Sequence, residues 1–179
     1  SISAPLFFGL SRVWEHRKAY DKAFDFARQA NAVTRKAISY DPGANQRLTR
    51  KLMEQFSHDF FDSRRDFGSP SRLPVFVLGM PRSGTTLVDV VLDSHPQIST
   101  IEEQVTILPV LEALQARPGG YPAALADLDE AAISDLRRLY FDALDPLLED
   151  GHGELIVDKM PIRPVQAGML SRLFPDARF

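Results

Sequence analysis

The sequence predicts an α/β fold, a parallel sheet flanked by helices, with a helical segment ahead of it. Three observations carry this. Short apolar runs rich in β-branched residues, at 75–78 and 155–157, have the length of buried strands. Helical periodicity separates them, and strands without polar alternation belong to sheets covered on both faces. Residues 1–62 carry helical periodicity alone, and Gly, Pro and Ser then gather at 63–72. We expect a helical annex at 1–62, a linker at 63–72 and an α/β domain at 73–179. The sheet stays incomplete at the C-terminus, where Arg178 and Phe179 enter a further strand.

In chain order, 3–31 reads as two helices. Leu6, Phe7, Leu10 and Trp14 form the buried stripe of the first, and Tyr20, Ala23, Phe24, Ala27 and Ala30 that of the second. Small and aromatic residues in this alternation resemble one degenerate tetratricopeptide unit (TPR-like), or an ordinary hairpin packed on a catalytic domain. Tyr40 to Gly43 form a turn, and 45–61 a third helix with Leu48, Leu52, Met53, Phe56 and Phe60 on one side. The basic face opposite, Arg47, Arg50 and Lys51, reads as solvated.

The stretch 73–96 organises the rest. The strand at 75–78 runs into a loop, Gly79-Met80-Pro81-Arg82-Ser83-Gly84, and Thr85-Thr86 open a helix with Leu87, Val90 and Val91 as its apolar face. A strand, a Gly-bounded loop and a helix N-terminus make an anion site, since free N–H groups and the helix dipole converge on the loop. The spacing Gly79-x4-Gly84 is P-loop-like, but Thr85 stands where the triphosphate-reaching lysine would be. The cation of the loop is Arg82. Glu102 and Glu103 end a short extended segment at 97–101, at the edge where α/β sheets place their chemistry. Helices follow at 104–117, with Pro109 near a start or at a kink, and at 129–148, with Ile133, Leu136, Leu139, Tyr140, Leu144 and Leu147 as its stripe. Asp158 and Lys159 end the strand at 155–157, and 164–174 is helical.

Composition limits the partners. The chain has 179 residues, 44% hydrophobic, and a net charge of −3, so no overall basic field draws it to nucleic acid. It has no cysteine and no run of about 20 apolar residues, which suits a reducing, cytoplasmic setting without a membrane span. The first residues lack the charged start and apolar core of a signal peptide, and a chain opening on Ser1 suggests a processed product or an excerpt. The four histidines show no metal-ligand spacing, and His95 reads as a helix-ending residue.

The run Gly79-Met80-Pro81-Arg82-Ser83-Gly84-Thr85-Thr86-Leu87 with Ser94-His95-Pro96 resembles the 5′-phosphosulfate loop of sulfotransferases that use PAPS (3′-phosphoadenosine 5′-phosphosulfate). The likeness is greatest to the branch of tyrosylprotein and tetratricopeptide-repeat enzymes. Asp158-Lys159-Met160-Pro161 and 170–179 resemble a second block of that family, in the same order. The resemblance implies transfer of a sulfuryl group from PAPS, as co-substrate and without a metal, to a hydroxyl or amine of a small molecule, glycan or peptide. It implies that Arg82, Ser83, Gly84, Thr85 and Thr86 hold the phosphosulfate. It makes Glu103 the catalytic base and sets Lys159 near the bridging oxygen, with Arg82 neutralising charge. Physically, a carboxylate serves as base when burial raises its pKa, and Glu102 beside it pushes the same way. A solvated acidic pair, and a lysine paired with Asp158 or with solvent, are the plain alternatives. The chain departs from the branch at Val105, where a basic residue helps hold an acidic peptide. The family's 3′-phosphate and adenine contacts would follow residue 179, so these residues alone should bind PAPS weakly and turn over little. Two other readings stay open, a P-loop kinase or NTPase, and a non-catalytic module whose annex binds a protein partner.

Overall fold

The computed structural model describes residues 3–62, 70 and 72–179, in two compact units, Ser1–Asn45 and Gln46–Phe179. Most of the linker expected at 63–72 lies outside the described residues. The first unit is a helical hairpin. Helix α1 (Ala4–His16) carries Pro5 in its first turn, where a missing N–H breaks no helical bond. Helix α2 (Tyr20–Ala37) returns alongside it. Their seam is marked by Phe7 and Phe26, ring centroids 6.3 Å apart, and by Ser11 Oγ donating to the Ala23 carbonyl at 2.8 Å. Ala23 and Ala30 are buried in it. Leu6, Tyr20 and Phe24, expected inside, are exposed. Two helices share one seam, so an apolar residue off that seam finds nothing to pack on within the hairpin.

Two helices also replace the single one expected at 45–61. Helix α3 (Ala44–Gln55) ends before Ser57, whose Oγ accepts from Phe60 N at 3.2 Å and so starts helix α4 (His58–Asp62). Phe56, Phe60 and Phe61 stack there with centroids 5.2–5.9 Å apart, whereas Met53 faces outward.

Three parallel strands follow, β1 (Val75–Val77), β2 (Ile98–Glu102) and β3 (Leu155–Lys159), in the order β1-β3-β2. Phe76 N donates to the Arg178 carbonyl at 2.9 Å, and Arg178 bridges Val75 in parallel. The further strand expected at Arg178 thus appears as one bridge on the free edge of β1. Side chains alternate across the sheet. Phe76, Ile101, Ile156 and Asp158 face a core shared with helices α6 (Leu108–Gln115), α7 (Glu130–Leu144) and α8 (Ala167–Leu173). Phe76, Tyr140 and Phe174 pack as a ring cluster at its centre, 5.1–6.0 Å apart. Pro109 sits in the first turn of α6, and the Asp129 carboxylate caps α7 by accepting from Ala132 N at 2.8 Å.

Helix α5 (Thr85–Asp93) differs from expectation. Leu87, Val90 and Val91 are 61–69% exposed, and the buried residue is Asp89, at 5%. The helix is apolar almost all round, so its pattern does not choose a face. Its C-terminal end is fixed to β2 by Asp93 Oδ1, which accepts from both Thr100 N and Thr100 Oγ1 at 3.2 Å.

Candidate active site

The register Val77↔Lys159↔Glu102 brings the carboxyl ends of all three strands to one level. The segments leaving them stay tied for one step more. Met160 N donates to the Val77 carbonyl, Gly79 N to that of Pro161, and Glu103 N to that of Lys159, at 2.8–3.2 Å. These bonds fix the loop at 79–84, the turn at 160–162 and Glu103 around one opening. The cleft there has a volume of about 410 Å³, and its walls include Arg82, Gly84, Thr85, Thr86, Glu103 and Met160.

The loop has the shape an anion needs. Gly84 precedes α5 with φ +92°, a conformation that glycine adopts without steric cost. No side chain caps the helix, so its first-turn N–H groups face the cleft without a capping oxygen. Gly79 lies against Ser83 Oγ and Thr85 Cγ2, and a Cβ there would come within 3.0–3.3 Å of them. Among the described residues, Lys18, Arg82 and Glu103 are the non-glycines with positive φ. Two of these three line the cleft, and left-handed backbone at a β-carbon residue costs about 1–2 kcal/mol, so the surrounding bonds must hold it.

Lys159 is fully buried, and its ammonium donates to Glu102 Oε1 at 2.7 Å and to Glu103 Oε1 at 3.0 Å. Burial pushes its pKa down, but the two carboxylates push it up further, so the group stays an ammonium. Glu102 and Glu103 are each 55% exposed at the side chain. The burial expected of Glu103 is therefore absent, and its fixed neighbour is the cation. Asp158 is not the partner of Lys159. Strand alternation sends it to the opposite face, where Oδ2 accepts from Arg163 Nη1 (2.6 Å), Thr106 Oγ1 (2.8 Å) and Tyr140 OH (3.0 Å). Arg163 Nη2 also donates to the Gln104 carbonyl and to Thr106 Oγ1. Burial and the nearby Asp158 raise the Tyr140 pKa well above its usual value, so its hydroxyl remains a donor. This network ties the segment after Glu103 to the turn after Lys159, both of which edge the cleft.

Arg163 and Thr106 are not among the residues the sequence singled out, and Tyr140 reads there only as part of the apolar stripe of α7. A signal was present. An aspartate inside a buried strand requires a partner, and an arginine stands five residues on. His95 ends α5, where its Nδ1 accepts from Gln97 N at 3.2 Å, as expected of a structural histidine. Among the described residues, no group of three or more His, Cys, Asp or Glu is arranged to hold a metal ion, and no helix is long and apolar enough to cross a membrane.

Residues 74–179 match the family model described as the sulfotransferase family. This chain belongs to the sulfotransferase family. An uncharacterized protein of Aquifex aeolicus (strain VF5) is 33% identical over 178 residues, covering 96% of this chain and 23% of that protein. Protein-tyrosine sulfotransferase 1 of Homo sapiens is 35% identical over 111 residues, 59% of this chain and 29% of its own length. Nodulation protein NoeE of Sinorhizobium fredii (strain NBRC 101917 / NGR234) is 32% identical over 118 residues, 61% of this chain and 28% of its length. The chain spans about a quarter of the length of these relatives. The family match covers the loop, Glu103 and Lys159 together.

Proposed function

We propose that this chain carries the donor loop and the base of a PAPS-dependent sulfotransferase acting on a hydroxyl or amine. The observation that supports this most is the shared cleft, where the uncapped N-terminus of α5, Arg82 and Glu103 meet. The donor set fits the 5′-phosphosulfate of PAPS. It offers backbone N–H groups, the hydroxyls of Thr85 and Thr86, and a guanidinium able to bind two oxygens at once. The Ser83 hydroxyl lies against Gly79 and off the cleft's walls. PAPS supplies the sulfuryl group and leaves as adenosine 3′,5′-bisphosphate. Arg82 and the loop hold the phosphate end and balance the charge that grows on it. Glu103 takes the proton of the acceptor group as its oxygen or nitrogen bonds to sulfur. Lys159 is fully buried and not on the cleft's walls, so it acts through Glu103, whose carboxylate it fixes. The exposed Tyr20 and Phe24 of α2 support a protein partner for the annex.

Binding and turnover separate these roles. Arg82→Ala should weaken binding of adenosine 3′,5′-bisphosphate by about ten- to a hundredfold, the size of a charge-assisted hydrogen-bond loss. Glu103→Gln should spare that binding and remove turnover in a full-length protein. Equal binding by wild type and Arg82→Ala would sink the loop assignment.

A further inference from the structure

A second, apolar groove of about 290 Å³ opens next to the cleft and shares Met160 and Ile162 with it as walls. Its other sides are Val105, Leu108 and Leu111 from the segment after Glu103, and Val165 from the turn at 163–166. Val105, Ile162 and Val165 are exposed, and a contiguous apolar patch of this kind marks an interaction site. Arg163 also lines the groove, but its guanidinium is occupied by Asp158, Thr106 and the Gln104 carbonyl. Among the described residues, no cation on the groove's walls is therefore left for an acidic ligand.

We propose that this groove takes the body of the acceptor, a compact aromatic or alkyl alcohol of one or two rings, with its hydroxyl directed to Glu103. This rests on the sulfotransferase reading and adds the substrate class to it. Continuity fixes the orientation, since a molecule lying between Val105 and Val165 meets the Glu103 side of the cleft across Met160 and Ile162. Size limits the body, because 290 Å³ lies at the lower bound of small-molecule sites. Charge excludes the alternative, since a peptide rich in glutamate would meet valine, leucine and isoleucine and leave its carboxylates unpaired.

The test uses the 179-residue chain with 2-naphthol as probe, followed by fluorescence, beside a tyrosine peptide flanked by glutamates. We expect naphthol to bind more tightly than the peptide. Val165→Glu and Val105→Glu should each weaken naphthol by about tenfold or more, since each sets a charge in the groove. Both valines are exposed, so neither change empties the core. Tighter binding of the peptide, or naphthol binding indifferent to both changes, would overturn the proposal. Titration with adenosine 3′,5′-bisphosphate reads the donor cleft separately. Naphthol binding that responds to both changes in a chain that ignores the bisphosphate would keep the groove as a ligand site and remove its role in sulfuryl transfer.

Discussion

Converting both Glu102 and Glu103 to glutamine should cost far more than two exposed carboxylates ordinarily contribute. Exposed ion pairs are worth about 0–1 kcal/mol. Here the cation is the buried member, with the Lys159 ammonium at zero exposure and its two oxygens at 2.7 and 3.0 Å. Stranding a buried charge costs about 3–5 kcal/mol. The carboxylates are half in water, which screens them, and glutamine keeps an acceptor oxygen, so we expect about 2–3 kcal/mol for the double change. Either single change should cost about 1 kcal/mol, because the other carboxylate remains. Urea unfolding at pH 7 measures this directly. The alkaline limb gives an independent check. The folded pKa of Lys159 is raised, so its contribution is fully present below the unfolded value near 10.4 and is lost as pH climbs through the folded one. Without the two carboxylates, burial outweighs the remaining charge of Asp89 and depresses the pKa. Stability should then instead rise with pH below the unfolded value, from the depressed folded pKa up to about 10.4. A double variant within 0.5 kcal/mol of wild type, or an unchanged alkaline limb, would refute the reasoning.

Two further changes test the frame around the cleft. Arg163→Met should destabilise by about 3–5 kcal/mol in urea, because it leaves the buried Asp158 carboxylate without its cation, whereas Arg138→Met, which breaks an exposed pair, should cost under about 1 kcal/mol. Asp89 has its pKa raised, chiefly by burial, so its effect on stability runs opposite to that of a paired carboxylate. Its contribution should fall as pH rises from the unfolded value near 3.9 through the folded one, so the stability of Asp89→Asn relative to wild type should grow over that range and leave the variant the more stable protein at pH 7.

The parts of the fold read from the sequence are those that a local pattern determines. The runs read as strands at 75–78 and 155–157 form β1 (Val75–Val77) and β3 (Leu155–Lys159), because short β-branched runs between turn residues are too short for a helix. Leu147, expected in the α7 stripe, lies past the helix end and is exposed. Ile133, Leu136, Tyr140 and Leu144 of that stripe are buried as expected and Leu139 partly so, since one strong face leaves one orientation. Helix α5 lacked that asymmetry. Its orientation depends on Thr100 of β2, which bonds Asp93, and on the Lys159 charge of β3 near the buried Asp89. The partner of Lys159 was illegible for the same reason. The register Glu102↔Lys159 decides it, and register is a property of the assembled sheet. The loop and Glu103 were named from the sequence, whereas the network of Asp158 and Arg163 that frames them required the fold.

The central claim is that the loop at 79–84 and Arg82 form a site for the phosphosulfate end of an adenosine nucleotide. Calorimetric titration of the chain with adenosine 3′,5′-bisphosphate, beside ATP with magnesium, tests it most directly. The account predicts binding of the bisphosphate, weak but measurable, and none of ATP with magnesium. Preference for ATP with magnesium, or no heat from the bisphosphate, would contradict it.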